Sequence, residues 1–183
     1  MSALSARPLP VLNGNKVLLR PFEETDITPA YIGWLNDPAT MRFSNQRFTS
    51  HSEASCRRYL QGFEGSANHF MSIRLRDGGA AVGTATAYVS VPHGTVDIGI
   101  LVGERKLWGQ GIGLDAFQTF VNWWLDQPCI RKVTAGTLEV NVGMVNLALM
   151  AGFHREATRR AQELVDGIPV DMHYFARFVG ADR

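Results

Sequence analysis

Hydrophobic and polar residues alternate along four segments in the first part of the chain, and this alternation predicts strands. The segments cover 15–22, 68–77, 81–91 and 95–103. Alternation with a period of two is typical of a strand that buries one face. Only short, glycine-containing turns separate the last three segments, so the sequence predicts an antiparallel meander there.

Other segments have the spacing of helices. Apolar residues recur every three or four positions in four segments. The first follows a predicted cap at Thr25 or Asp26, and the others cover 51–63, 110–126 and 142–152. Each of these segments ends close to a proline or a glycine, which helices rarely continue through. The sequence therefore predicts four helices.

Alternation returns near the end of the chain, over 131–140, 158–165 and 168–178. The Asp-Gly pair between the last two segments is a strong hairpin signal. The whole order is strand, two helices, three strands, helix, strand, helix and two strands. It predicts a mixed α/β fold of about seven strands. The strand, helix and strand over 95–140 predict one parallel crossover inside an otherwise antiparallel sheet.

Composition narrows the class of protein. The chain has 183 residues, 45% of them hydrophobic, which suits a single domain over 15–180 that follows an N-terminal tail over 1–14. Its net charge of +1 argues against binding to nucleic acid or an anionic membrane. No run approaches ~20 apolar residues, and no signal-peptide pattern is present, so we expect a cytoplasmic protein. A small molecule or a peptide is the expected partner, and a homodimer stays open.

The stretch LWGQGIGLDA places Gly109, Gly111 and Gly113 directly before the third predicted helix. A dinucleotide site needs G-x-G-x-x-G within alternating parallel units, and a P-loop needs Gly-Lys-Ser/Thr, so neither motif fits. Two interpretations remain. The glycines either form a tight turn, or they expose backbone N–H groups at a helix N-terminus that bind a phosphate or a pyrophosphate.

The segment VGERKLWGQGIGLDAFQTF resembles motif A of the GNAT acyltransferase superfamily, whose loop cradles the pyrophosphate of acetyl-CoA. Gly111 and Gly113 match the two small positions of that motif, while Trp108 stands where Arg or Gln is usual. The later segment NVGMVNLALMAGF is similar to the family's second motif. Asn141 matches the residue that contacts the pantetheine arm. Ala148 stands where a tyrosine usually protonates the departing thiolate.

This resemblance implies the GNAT fold and an acetyl-CoA-dependent N-acetyltransferase. In that fold, helices cover both faces of a mixed, mostly antiparallel sheet that splays between its fourth and fifth strands. LRPFEETD, WLNDPATMRF and LWGQGIG are most similar to the branch of ribosomal-protein alanine and amino-sugar N-acetyltransferases. The resemblance also implies that acetyl-CoA contacts Leu101, Val102, Trp108, Gly109, Gln110, Gly111, Ile112, Gly113 and Asn141.

Acyl transfer to an amine needs a proton acceptor, because an amine with a pKa near ~10 is protonated at neutral pH. Asp97 shares a predicted strand face with Gly99 and Leu101, and it matches an acidic position that several GNAT relatives use as base. Glu139, on the partner strand, is similar in local sequence to a catalytic Glu of the alanine acetyltransferases. An ordered-water relay is the third option. Tyr174 is a candidate general acid in place of the missing tyrosine.

In GNAT relatives the first two helices and their loop close over the acceptor. The resemblance therefore implies acceptor contacts by Trp34, Asn36, Phe43, Ser44, Asn45, Gln46 and Arg47. The hydrogen-bonding groups of SNQR favour an amino-sugar nucleotide over a protein N-terminal amine. The alternative function is a non-catalytic acyl-CoA sensor of the same fold. The spacing of histidines and cysteines indicates no metal site.

Overall fold

The computed structural model describes residues 9–77 and 79–180. Most of the predicted tail, residues 1–8, lies outside this part of the chain. Leu12–Asn13 forms a two-residue strand, β1, and the buried side chains of Leu9 and Leu12 belong to the main core. The chain therefore packs onto the domain from residue 9 onward.

The longer elements follow in the predicted order. The strands are β2 (Val17–Pro21), β3 (His69–Leu75), β4 (Ala81–Ser90), β5 (Thr95–Val102), β6 (Lys132–Leu138), β7 (His154–Val165) and β8 (Ile168–Phe178). The helices are α1 (Pro29–Asn36), α2 (Glu53–Gln61), α3 (Ile112–Leu125) and α4 (Val142–Met150). The α/β class is therefore confirmed, and β1 accounts for the eighth strand.

All these strands form one open sheet in the order β1-β2-β3-β4-β5-β6-β8-β7. Neighbouring strands are antiparallel except β5 and β6, which are parallel, as the crossover predicts. The pairing of β5 with β6 runs only from Thr95↔Lys132 to Asp97↔Thr134, although both strands continue. The sheet therefore splays beyond Asp97, between its fourth and fifth long strands.

Alternating side chains divide the sheet between two apolar cores. On one face, α3 packs its apolar side chains against Val96 and Ile98 of β5. On the other face, α1 and α2 cover a smaller cluster that includes Tyr31 and Phe70. Successive residues of a strand point to opposite faces, so Asp97 faces the side that α1 and α2 cover.

Several element boundaries differ from the predicted ones, and the differences at α1 and β7 have clear physical reasons. α1 begins later, because Thr28 rather than Thr25 or Asp26 caps it. Asp26 is buried and accepts hydrogen bonds from Arg20 at 2.8 Å, so its carboxylate is already engaged. β7 is longer than predicted, since it begins at His154 and pairs along most of β8.

One carboxylate ties the beginning of β2 to the beginning of α3. Asp115, in the first turn of α3, accepts the backbone N–H groups of Asn15, Lys16 and Val17 at 2.9, 2.8 and 3.0 Å. A negative charge is favourable in this turn because it lies at the positive end of the helix dipole. The turn before β2 is thereby held against the loop that precedes α3.

Replacing Asp115 by alanine leaves these three N–H groups without a charged acceptor. We expect Asp115→Ala to lower the free energy of unfolding by about 2 kcal/mol, and the Tm by roughly 4–8 °C, as measured by denaturant and thermal unfolding. Asp126→Ala is the matched control at the other end of α3. Asp126 is exposed there, where a negative charge is unfavourable, so we expect no loss. Equal losses in the two variants would contradict the role of Asp115.

Candidate active site

The loop before α3 leaves its backbone unobstructed at the helix N-terminus. Gly109 and Gly111 have φ angles of 74° and 79°, a conformation that favours glycine, and Gly111 is the N-cap residue of α3. A Cβ at Gly113 would lie 3.3 Å from side-chain carbons of Val102 and Leu147, so glycine lets α3 pack closely there. The N–H groups of the first helical turn have no partner within the helix, which makes this loop suitable for an anion such as a pyrophosphate.

The splay leaves one edge of β5 unpaired beside this loop. The Val96 carbonyl faces β6, where its oxygen lies 3.4 Å from Oγ1 of Thr134. Because backbone groups alternate along a strand, those of Ile98, Ile100 and Val102 then point into the space between the separating strands. Such an edge binds an extended ligand with amide groups as if it were an added strand.

Several residues of the implied acetyl-CoA set have internal partners. The indole N–H of Trp108 donates to the Val102 carbonyl at 2.8 Å, which caps the end of β5. The Gln110 amide donates to a backbone carbonyl within the same loop. Ile112 is buried in the main core. Asn141 is the N-cap residue of α4, where its side-chain oxygen accepts a backbone N–H at 3.3 Å and leaves its NH₂ group for other partners.

Asp97 lies where β5 and β6 begin to separate. Its Oδ1 accepts a hydrogen bond from the Thr134 hydroxyl at 2.6 Å. The residue has a large solvent-exposed fraction, yet the surrounding protein removes part of the hydration of its carboxylate. This desolvation raises the pKa of Asp97 above its usual value, and the hydrogen bond from Thr134 opposes the rise. A carboxylate with a raised pKa is suited to accept a proton.

A cavity of about 370 Å³ lies on the side that α1 and α2 cover, and its lining on β5 begins at Gly99, two residues after Asp97. Gly99 and Leu101, which follow Asp97 on the same strand face, contribute to its floor. The loop between α1 and α2 and the inner sides of both helices form its walls. Its hydroxyl and amide groups come from Ser44, Gln46, Thr49, Ser55, Thr84 and Thr86.

Among the described residues, His51 supplies the basic side chain in the lining of the cavity. No carboxylate, lysine or arginine is among the described residues that line it. Burial raises the pKa of the Tyr31 and Tyr59 hydroxyls and of the Cys56 thiol. These three groups are therefore neutral at physiological pH, and apart from the His51 imidazole an acceptor in the cavity meets hydrogen-bonding and apolar groups.

The seven residues implied for acceptor binding separate into two groups. Ser44 and Gln46 line the cavity. Trp34 packs its ring against Gly103 at the end of β5, where a Cβ would clash with it. These three side chains lie on the side of the sheet that α1 and α2 cover.

The other four hold the surrounding loop in place. Asn36 binds the backbone of the segment before α2 through both atoms of its amide. Phe43 packs in a small apolar cluster beside the β7–β8 hairpin. Asn45 and Arg47 donate hydrogen bonds to that hairpin. Their side chains fix the rim of the site and do not line the inner cavity.

Glu139 and Tyr174 lie outside the lining of the cavity. The Glu139 carboxylate accepts the Asp171 N–H at 3.0 Å, and the Glu139 N–H donates to the Asp171 carbonyl at 2.9 Å. Glu139 thus extends the pairing of β6 with β8. Arg159 places its guanidinium 5.0 Å from the centre of the Tyr174 ring. Asp97 is also not a lining residue, but it lies two positions before Gly99 on the strand face that forms the floor of the cavity.

Three residues beside the site carry no signal in the local sequence. Thr134 is 37 positions from the carboxylate that it binds, and only the parallel pairing of β5 with β6 brings the two together. The Tyr59 and Tyr88 hydroxyls are 2.9 Å apart, because α2 packs against the end of β4. Thr134 could have been found from a correct strand register, whereas the tyrosine pair depends on how a helix packs.

Neither a metal site nor a membrane span is evident in the described part of the chain. Over 9–77 and 79–180, no group of three His, Cys, Asp or Glu side chains is close enough to hold a metal ion. The helices in the same ranges lack the length and apolar character needed to cross a membrane. Cys56 and Cys129 are both free.

Comparison with known proteins agrees with this geometry. The sequence profile of the acetyltransferase (GNAT) domain matches residues 16–154, more than half of the chain. The chain therefore belongs to the GNAT acetyltransferase family. No curated protein matches the sequence.

Solved structures of acetyltransferases share the fold. A GNAT-family acetyltransferase from Bacillus anthracis is 18% identical, with a TM-score of 0.78 over 92% of this chain and 98% of that chain. The ribosomal-protein acetyltransferase RimL, in complex with coenzyme A, is 18% identical, with a TM-score of 0.79 over 94% and 100% of the two chains. Spermidine N-acetyltransferase from Vibrio cholerae, in complex with CoA and spermine, is 14% identical, with a TM-score of 0.78 over 89% and 95%.

The raised pKa of Asp97 can be measured directly. We expect the pKa of the Asp97 carboxyl to lie above its usual value of 3.8 in a ¹³C NMR titration, and Thr134→Val to move the midpoint higher. The sign follows because the Thr134 hydroxyl donates to the charged form, so its removal disfavours that form. A lower midpoint for Asp97 in Thr134→Val would contradict this assignment.

Proposed function

We propose that this acetyltransferase moves an acetyl group from acetyl-CoA to a primary amine by direct attack of the amine on the thioester. The observation that carries the proposal is the juxtaposition of three features. The glycine loop at the start of α3 lies beside the unpaired edge of β5. Asp97 stands where that edge begins, and the cavity opens two residues farther along the strand, at Gly99. The CoA complexes of the related structures support this arrangement.

Each part of the site has a separate task in this proposal. The backbone amides at Gly111 and in the first turn of α3 hold the pyrophosphate. The N–H groups of Ile100 and Val102 hold the pantetheine arm and orient the thioester carbonyl, where negative charge develops. Asp97 accepts the proton that the amine loses, and Thr134 orients the carboxylate. Positioning supplies much of the acceleration, because a thioester is already activated.

We infer that the part of the acceptor adjacent to the reacting amine carries no further charged group. A polyamine carries further cations, which the cavity does not match with any carboxylate among the described residues. We therefore infer that this chain shares the fold of the spermidine acetyltransferase but does not share its polyamine acceptor.

A peptide N-terminus fits the site better than an amino-sugar nucleotide. Beyond the inner cavity lies a wider groove of about 840 Å³ that shares Leu35, Met41 and Thr49 with it, so an extended chain can continue outward. The arginines of this groove are engaged: Arg42 pairs with Asp166, and Arg47 donates to backbone carbonyls. These partners would compete with nucleotide phosphates for both guanidinium groups. A peptide α-amine, with a pKa near ~8, also needs a weaker base than a lysine-like amine.

Acetyl-CoA binding and turnover test the function itself. Acetyl-CoA at about 100 times its dissociation constant is expected to stabilise the fold by ~2.7 kcal/mol and to raise the Tm by roughly 5–11 °C. With an acceptor peptide, the enzyme is expected to release free CoA, which a thiol reagent detects. Binding without release for any amine would support an acyl-CoA sensor. No stabilisation by acetyl-CoA would contradict the proposal.

Matched acidic variants then identify the base. We expect Asp97→Asn to reduce kcat by about a hundred- to ten-thousand-fold, while Glu139→Gln keeps its hydrogen bond to Asp171 and retains activity. Folding raises the pKa of Asp97, so its ionised form weakens the folded state above the unfolded pKa. Asp97→Asn is therefore expected to fold at neutral pH. The opposite ranking of the two variants would assign the base to Glu139.

Acceptor preference is measured by comparing kcat/KM at one pH. The acceptors are a short peptide with a free N-terminus, the same peptide with a blocked N-terminus, a nucleoside-diphosphate amino sugar, and spermidine. We expect the free peptide to be at least about tenfold better than spermidine, and the blocked peptide to be inactive. Preference for the nucleotide sugar or for spermidine would overturn the inference about the acceptor, and it would leave acetyl transfer itself intact.

A further inference from the structure

The glycine loop lacks the side chain that the motif usually supplies for phosphate contact. Trp108 replaces the usual Arg or Gln, and its indole N–H is already bonded to the Val102 carbonyl at 2.8 Å. The Gln110 side chain is also engaged within the loop, by a hydrogen bond of 2.7 Å to the Lys106 carbonyl. The side chains of Trp108 and Gln110 therefore leave a bound pyrophosphate to the backbone amides of the glycine loop.

A cation reaches the same loop from another part of the chain. Lys16, at the turn before β2, donates from Nζ to the Gln110 carbonyl at 2.7 Å. A Cβ at Gly111 would lie 3.1 Å from that nitrogen, so the ammonium stands directly beside the N-cap of α3. No acidic side chain of the described residues pairs with Lys16. Its charge is therefore available to an anion in the loop.

The position of Lys16 is fixed by its own backbone. Its N–H and those of Asn15 and Val17 are held by the Asp115 carboxylate in the first turn of α3. The lysine side chain therefore begins at a defined place against the helix. An ammonium group has three donors, and the Gln110 carbonyl uses one of them, so two remain for another acceptor.

We propose that Lys16 binds the pyrophosphate of acetyl-CoA and replaces the contact that Trp108 cannot make. The inference rests on the proposed function, because it concerns the acetyl-CoA site of the same enzyme. Lys16 is a binding residue here and takes no part in proton transfer. Its contribution is a charge-assisted hydrogen bond added to the neutral backbone donors of the loop.

Two ligands that differ by the phosphates separate this role from a structural one. Acetyl-CoA carries the pyrophosphate, and S-acetylpantetheine lacks it. In equilibrium binding, we expect Lys16→Gln to lower the affinity for acetyl-CoA by about tenfold and to leave the affinity for S-acetylpantetheine unchanged. We also expect the affinity for acetyl-CoA to depend less on salt concentration. Lys16→Arg is expected to retain most of the affinity. The KM for the acceptor amine is expected to stay the same.

Arg76→Gln is the matched control. Arg76 donates to the Gly14 carbonyl at 2.9 Å, so its removal loosens the same turn without touching the glycine loop. We expect this variant to bind both ligands as the wild type does. The role of Lys16 would be overturned if Lys16→Gln lowered the affinities for both ligands equally. It would also be overturned if the affinity for acetyl-CoA did not fall. Failure of the wild type to bind acetyl-CoA is a different result, and it would overturn the proposed function instead.

Discussion

The limited pairing of β5 with β6 is the constraint on which the site depends. Each strand keeps one complete neighbour, β4 for β5 and β8 for β6, while their shared edge closes only as far as Asp97. Unpaired strand edges are normally covered, because they attract other chains and leave polar groups without partners. Here the edge lies in a cleft beside the start of α3, where a ligand with amide groups can pair with it. The same separation places Asp97 at the entrance of the cleft.

Strand alternation then divides the work between the two faces of the sheet. Val96 and Ile98 anchor β5 to α3, so the glycine loop is held close to the unpaired edge. Asp97 and Gly99 point the other way, toward the cavity under α1 and α2. A shift of one residue in the register of β5 would bury the carboxylate under α3 and turn isoleucine side chains into the cavity. The extended pairing of β4 with β5 protects the site against such a shift.

Local patterns were sufficient for most of the fold. The alternation over 95–103 predicted both the strand and the opposite orientations of Val96 and Asp97, because a period of two leaves no other choice. Caps were less predictable. Asp26 resembles a helix cap in sequence, but its carboxylate binds a nearby arginine, and Thr28 caps α1. Contacts between distant segments, such as Lys16 with the glycine loop, have no local signal, since the packing of α3 against β2 creates them.

Position 148 is an alanine, so no tyrosine there can protonate the departing thiolate, but this adds little to the free-energy barrier. Ala148 is fully buried in the main core, so the position contributes packing instead of a proton donor. A thiol with a pKa near ~8.5 departs as thiolate at pH 7 at a cost of about 2 kcal/mol, which positioning can offset. The amine, by contrast, must lose a proton in every turnover. Proton acceptance is therefore the step that needs a dedicated group, and the proposed mechanism assigns it to Asp97, which Thr134 holds where β5 and β6 separate.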